Sequence, residues 1–104
     1  GPYFTARLDE IVSDHPLVGE RRGKGLMAAL QLVRDKKTRE LCTMEDNAAI
    51  LCREKCYELG LIVRAVGQSI VISPPFTITE QEVDALIAML RRGLDHAAAA
   101  LGIR

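Results

Sequence analysis

Between Leu61 and Ser73 apolar residues alternate on both sides of a single glycine, and a double proline follows. The run LIVRAVGQSIVISPP reads as an antiparallel hairpin that turns at Val66–Ser69, with Gly67 taking any positive φ. In this register Ala65 faces Ile70, Arg64 faces Val71, Val63 faces Ile72 and Ile62 faces Ser73. Strand side chains alternate between faces, so Leu61, Val63, Ala65, Ile70 and Ile72 form one wholly apolar face. The other face is mixed: Ile62, Arg64, Val71 and Ser73. A slip of one residue would drive Arg64 into the core, so the charge specifies the register. Pro74 and Pro75 donate no ladder bonds and end the strand.

An apolar strand face needs a second layer. Three helices are predicted to supply it. Tyr3–Ser13 places Phe4, Leu8, Ile11 and Val12 on one side, and His15-Pro16 ends it as a turn. A second helix over Asp46–Leu59 buries Ala49, Cys52, Cys56 and Leu59. Thr43 and Asp46 form its capping box, with Asp in place of Glu, and Gly60 closes it in the left-handed region. Thr79 and Glu82 make the clearest capping box, and Val83, Leu86, Ile87, Leu90, Leu94 and Ala97 follow as one stripe. The tail AAAALGIR is expected to fray.

Val18–Gly25 reads as a short polar connection or edge strand, and Leu26–Val33 as a central strand. Its Leu26, Ala28, Leu30 and Leu32 line one side, opposite Met27, Ala29, Gln31 and Val33. Arg34–Met44 is expected to be a charged loop, with or without a helical turn. The fold class is therefore α/β, a two-layer sandwich with a mostly antiparallel sheet and helices on one face. Residues 1–104 form one domain, at an ordinary domain size.

The formal net charge is zero, which argues against a general nucleic-acid or membrane-surface binder. Residues 21–39 are locally basic but carry no aromatics for base stacking, and they read as a solvated face. No apolar run is long enough to cross a membrane. Cys42, Cys52 and Cys56, an odd count without a CxxC pair, fit a reducing compartment and a cytoplasmic location. Gly1-Pro2 reads equally as native or as a cleavage scar.

Several motifs fail on chemistry. GERRGKG has the wrong glycine spacing for a phosphate loop and Gly25 where a magnesium-binding hydroxyl belongs. GKGLMA lacks the strand and helix a dinucleotide site needs. Cys52 and Cys56 lack further ligands at metal spacing and read as buried small residues. None of Lys24, Lys36, Lys37 and Lys55 looks desolvated enough to form a Schiff base. The residues thus name no catalytic, cofactor-binding or metal site. The one anion-binding candidate is Arg64, whose planar paired donors suit a carboxylate. The competing reading is a surface arginine whose stem covers apolar neighbours.

DHPLVGERRGKGLMAALQLVRDKKTRE, with CREKCYELGLIVRAVGQSIVISPPFTITEQEVDALIAMLRRGLD, resembles the C-terminal segment of class III pyridoxal-phosphate aminotransferases. The amine:pyruvate or ω-amino acid branch is most similar, over about Tyr3–Asp95. The resemblance implies the small C-terminal domain of a fold-type I transferase. It implies transfer of an amino group from an amine or ω-amino acid to a keto acid such as pyruvate, with pyridoxal 5′-phosphate as cofactor. The implied partners are the large cofactor-binding domain of the same enzyme and a second copy in a homodimer. Arg64 matches the mobile arginine that holds the substrate carboxylate. Gln68 stands where the turn often has Asp, and Arg21 where an apolar residue is usual. The cofactor lysine has no match in these residues, so the chain alone is expected to bind no cofactor and to be inactive. Exposed apolar surface and weak self-association are expected with it. The alternative is a free-standing module for small carboxylates or for dimerisation.

Overall fold

The computed structural model describes residues 2–24, 27–38, 40–43, 46–73 and 78–103. The elements are α1 (Pro2–Asp14), β1 (Val18–Lys24), β2 (Met27–Asp35), β3 (Glu40–Leu41), α2 (Ala48–Leu59), β4 (Arg64–Val66), β5 (Ser69–Ile72) and α3 (Glu80–Leu101). The main sheet runs β1-β2-β5-β4, with β3 pairing β2 off this path. Every described pairing is antiparallel. The helices stack on the inner face, α1 against β1, α2 against β4 and β5, and α3 against both other helices.

The hairpin register is the one the alternation predicts. Arg64 pairs with Val71, Ala65 with Ile70 and Val66 with Ser69. Gly67 has φ of 59° and Gln68 no positive φ, the pattern of a tight turn with glycine at its first central position. Leu61, Val63, Ile70 and Ile72 are buried, whereas Ile62, Arg64 and Ser73 are exposed. Pro74 and Pro75 lie outside the described residues, as do Gly25, Leu26, Arg39 and Met44.

β2 is the central strand, and Ala28, Leu30 and Leu32 are buried under the helices. β1 is an edge strand. Val33 belongs to the outer row but is also buried. A register shift between Val18 and Glu20 puts Gly19 at a bulge, and a Cβ on Gly19 would stand 2.4 Å from Val33 Cγ1. The bare glycine thus gives the valine room. Arg21, in an inner row, donates to Asp9 Oδ1 on α1 at 2.6 Å, so this departure from the usual apolar residue becomes an edge ion pair.

Three expectations are corrected. Arg34–Met44 is not simply a loop: β2 continues to Asp35, and after a turn Glu40–Leu41 pairs back onto it as β3. Alternation had no signal there because the strand ends are charged. The Thr43–Asp46 box is present, with Thr43 N–H donating to Asp46 Oδ2 (2.8 Å) and Asp46 N–H to Thr43 Oγ1 (3.3 Å). It closes a turn ahead of α2, whose N-cap is Asn47 in the left-handed region. The tail does not fray: α3 runs to Leu101, and Gly102 (φ 72°) caps it. Gly102 and Ile103 N–H groups donate to Ala99 and Ala98 carbonyls, and Ile103 packs on the core. Alanine favours the helix, and the glycine–isoleucine pair closes it as a C-cap with its hydrophobic contact. The Thr79–Glu82 box is reciprocal, as predicted. Gly60 (φ 100°) caps α2.

Candidate functional site

The outer sheet face carries one cross-strand row: Arg64 on β4, Val71 on β5, Ala29 on β2 and Arg22 on β1. Neighbouring strands lie about 4.8 Å apart, so the two arginine backbones are roughly 14 Å apart. Apolar side chains fill the row between them. The arginines differ in company. Arg22 donates from Nε to Glu20 Oε2 at 2.7 Å and from a terminal nitrogen to Gln31 Oε1 at 3.4 Å. Arg64 is exposed and makes no hydrogen bond or ion pair among the described residues. Its donors are therefore available to an anion reaching this face. Beside the row, Arg22, Met27, Ala29 and Val71 help line a cavity of about 330 Å³.

Arg53 on α2 is a second cation, missed in the sequence. It stands between a cavity of about 310 Å³ with Ile50, Ala65 and Gln68 and one of about 370 Å³ with Tyr57 and Ile62. Nothing in the sequence marks this charged residue, which flanks the buried stripe of α2.

The other chemistry-bearing residues serve the fold. His15 is 4% exposed. Its Nδ1 accepts from Leu17 N–H at 3.2 Å, so Nε2 carries the proton and donates to Asp95 Oδ1 at 2.8 Å. It is a turn residue, as expected, and also ties α1 to α3. Lys36 donates to the carbonyls of Val12 and His15 at the end of α1. Loss of solvent lowers its pKa. Lys36 is thus half-buried within a basic run that reads as a solvated face.

The three cysteines are free and buried, as the small-residue reading expects. Burial pushes the Cys42 thiol up to about 11. A hydrogen bond to Cys56, with burial, raises Cys52 well above the ordinary thiol. Neither suits a thiolate nucleophile. Among the described residues no three metal-ligating groups cluster.

No described lysine fits the aldehyde of a pyridoxal cofactor. Lys36 is engaged by two carbonyls, Lys55 pairs with Glu58 at 3.5 Å, and Lys37 lies exposed on a turn. The side chain of Lys24 lies outside what the structure describes. GKGLMA links two strands, and a Cβ on Gly23 would stand 3.0 Å from the Met27 carbonyl. Tight strand approach, not a dinucleotide, explains that glycine.

Residues 1–94 match the family described as Aminotransferase class-III. The chain is similar to a putrescine–pyruvate aminotransferase of Pseudomonas aeruginosa, with 51% identity over 100 residues, 96% of this chain and 22% of that protein. Among solved structures it is similar to an ω-aminotransferase from Paracoccus denitrificans (41% identity, TM-score 0.86, 94% of this chain and 22% of the other). It is also similar to the PMP-bound form of an aminotransferase from Vibrio fluvialis (38% identity, TM-score 0.86, 94% and 22%). The chain thus spans about a fifth of the length of each of these relatives.

Proposed function

Because this chain belongs to the class-III aminotransferase family, we propose that it forms the small C-terminal domain of a pyridoxal-phosphate-dependent ω-aminotransferase. The enzyme moves an amino group from an amine or ω-amino acid to a keto acid such as pyruvate. The relative named for putrescine and pyruvate favours this donor and acceptor pairing. The cofactor supplies the electron sink for that exchange and is held by the larger domain. Residues 1–104 serve as one domain beside it, in a homodimer in the cytoplasm. Three free cysteines suit that compartment.

In this reading Arg64 holds the carboxylate of the keto acid. The observation that carries the assignment is its exposure on the outer face without a partner among the described residues. A fork of two N–H donors orients a carboxylate in its own plane. In the full-length enzyme Arg64→Ala is expected to raise KM for pyruvate roughly 10- to 100-fold, the loss of a charged hydrogen-bonded contact. Turnover with an aldehyde acceptor, which has no carboxylate, should stay near the parent's. Equal effects on both acceptors would overturn the role. The 104-residue chain alone is expected to develop no cofactor absorbance band with pyridoxal phosphate. If it instead binds pyruvate saturably, and Arg64→Ala abolishes binding, the free-standing carboxylate module becomes the better reading.

A further inference from the structure

We propose that the cavity between α2 and the β4–β5 turn is a second binding site, for a small monocarboxylate with a short apolar chain. The inference does not rest on the reading of Arg64. The cavity measures about 310 Å³, the size of a small-ligand pocket. Three polar side chains line it: Asn47 at the N-cap of α2, Arg53 further along that helix and Gln68 in the turn. None of these side chains makes a hydrogen bond or ion pair among the described residues, and that of Asn47 does not cap its own helix. Gln68 is half-buried, and its carbonyl accepts from Leu32 N–H at 2.9 Å. The sheet therefore fixes where its amide stands. A few convergent polar groups in a largely apolar cavity, with nothing in the fold to satisfy them, mark a ligand site.

Charge and shape choose the ligand. The cavity has no acidic side chain in its lining. Glu54, next to Arg53 in sequence, lines the cavity on the other side of the arginine. Arg53 thus supplies one positive charge that the cavity does not neutralise, and both amides can donate beside it. A guanidinium with paired donors matches a carboxylate in its plane. One cation balances a monoanion, whereas a phosphate dianion would keep a charge without a partner. Ala49, Ile50 and Ala65 form the apolar wall that takes a short alkyl group.

This site is separate from the Arg64 clamp. Ala65 turns towards the helix layer, and Arg64, its neighbour on β4, turns to the outer face. The two sites nevertheless share one hairpin, so the carboxylate on Arg53 braces from behind the strand that carries the substrate contact.

The test is equilibrium dialysis of labelled isovalerate against the full-length enzyme carrying Arg64→Ala, in which the clamp is gone. Saturable binding is expected there. Adding Arg53→Gln should raise Kd at least ~10-fold, the loss of a charged hydrogen-bonded contact. Adding Gln68→Asp, which puts a like charge into the cavity, should do the same. Arg53→Lys, which keeps the charge without the fork, should fall between. Melting temperatures should match throughout, because Arg53 and Gln68 hold no partner through their side chains. No saturable binding in the Arg64→Ala enzyme would overturn the site, as would binding indifferent to Arg53→Gln. Inorganic phosphate bound more tightly than isovalerate would overturn the monocarboxylate class. The KM of the Arg64→Ala enzyme for pyruvate tests the clamp separately.

Discussion

Gly93 lies so close to Cys56 that a Cβ there would stand 2.5 Å from the Cys56 sulfur and 3.0 Å from the Cys52 carbonyl. The contact sets how near α2 and α3 approach. Gly93→Ala gains about 1 kcal/mol of helix propensity and loses about 1–3 kcal/mol to overpacking. The backbone carbonyl cannot move aside as a side chain can, so net destabilisation is expected. Cys56→Ala in the same chain should recover part of the loss. Urea midpoints of the four chains in this cycle measure the coupling. A raised midpoint for Gly93→Ala alone would show that the crossing has slack.

His15, just past α1, accepts from Leu17 N–H at Nδ1 and reaches Asp95 on α3 with Nε2. His15→Ala strands the buried Leu17 N–H and is expected to cost about 1–3 kcal/mol. His15→Asn returns an acceptor near Nδ1 and should fall between the two. Asp95→Asn touches a largely exposed side chain and should cost under about 0.5 kcal/mol. Thermal unfolding of the three variants gives the order, and an Asp95 effect as large as His15→Ala would contradict it.

Asp14 accepts from both terminal nitrogens of Arg91, at 2.8 and 3.1 Å. That hydrogen bonding holds its carboxyl below the usual aspartate value. A carboxyl depressed in the fold contributes stability that is complete above the unfolded value, near about 4, and lost as pH falls through the folded one. The pair is half in solvent, so the effect is modest. Melting temperatures from pH 6 to pH 2 should fall less steeply for Asp14→Asn than for the parent. Parallel curves would remove the Asp14 contribution.

Arg64→Ala should leave stability within about 0.5 kcal/mol of the parent, because an exposed side chain without partners contributes little to the fold. Leu30→Ala, in the buried inner row, should cost about 2–5 kcal/mol. Denaturant titration of both separates a residue kept for binding from one kept for packing. A large loss for Arg64→Ala would mean that it holds the fold.

The hairpin was legible because only one parity buries Val63, Ile70 and Ile72 while keeping Arg64 outside. The α3 start was legible because Thr79 and Glu82 satisfy each other's backbone donors at a fixed spacing. β3 was not: Glu40 and Leu41 are only two residues, too few to carry an alternation. The start of α2 was misread because a Thr–Asp box closes a turn as readily as it caps a helix. His15 could not be seen as a tie, since its partner Asp95 is eighty residues away and only the tertiary fold brings them together. For the site, sequence pattern placed Arg64 on the outer face, and the structure added its row with Val71, Ala29 and Arg22. The carboxylate it would hold comes from kinship, because an arginine without a partner does not name its ligand.

The sheet order has a consequence for how quickly the chain can fold. β1–β2 and β4–β5 are each local hairpins, of a kind that forms in about 1–10 μs. The β2–β5 seam, where Leu30 meets Ile70, must close a loop on the order of 40 residues before either inner face is complete. Its entropy falls due ahead of the burial it permits. The timing of folding thus rests on the middle of the sheet: substitutions at Leu30 or Ile70 should slow refolding, while those at the bulge of β1 should chiefly hasten unfolding. Stopped-flow chevrons of the two classes would tell them apart.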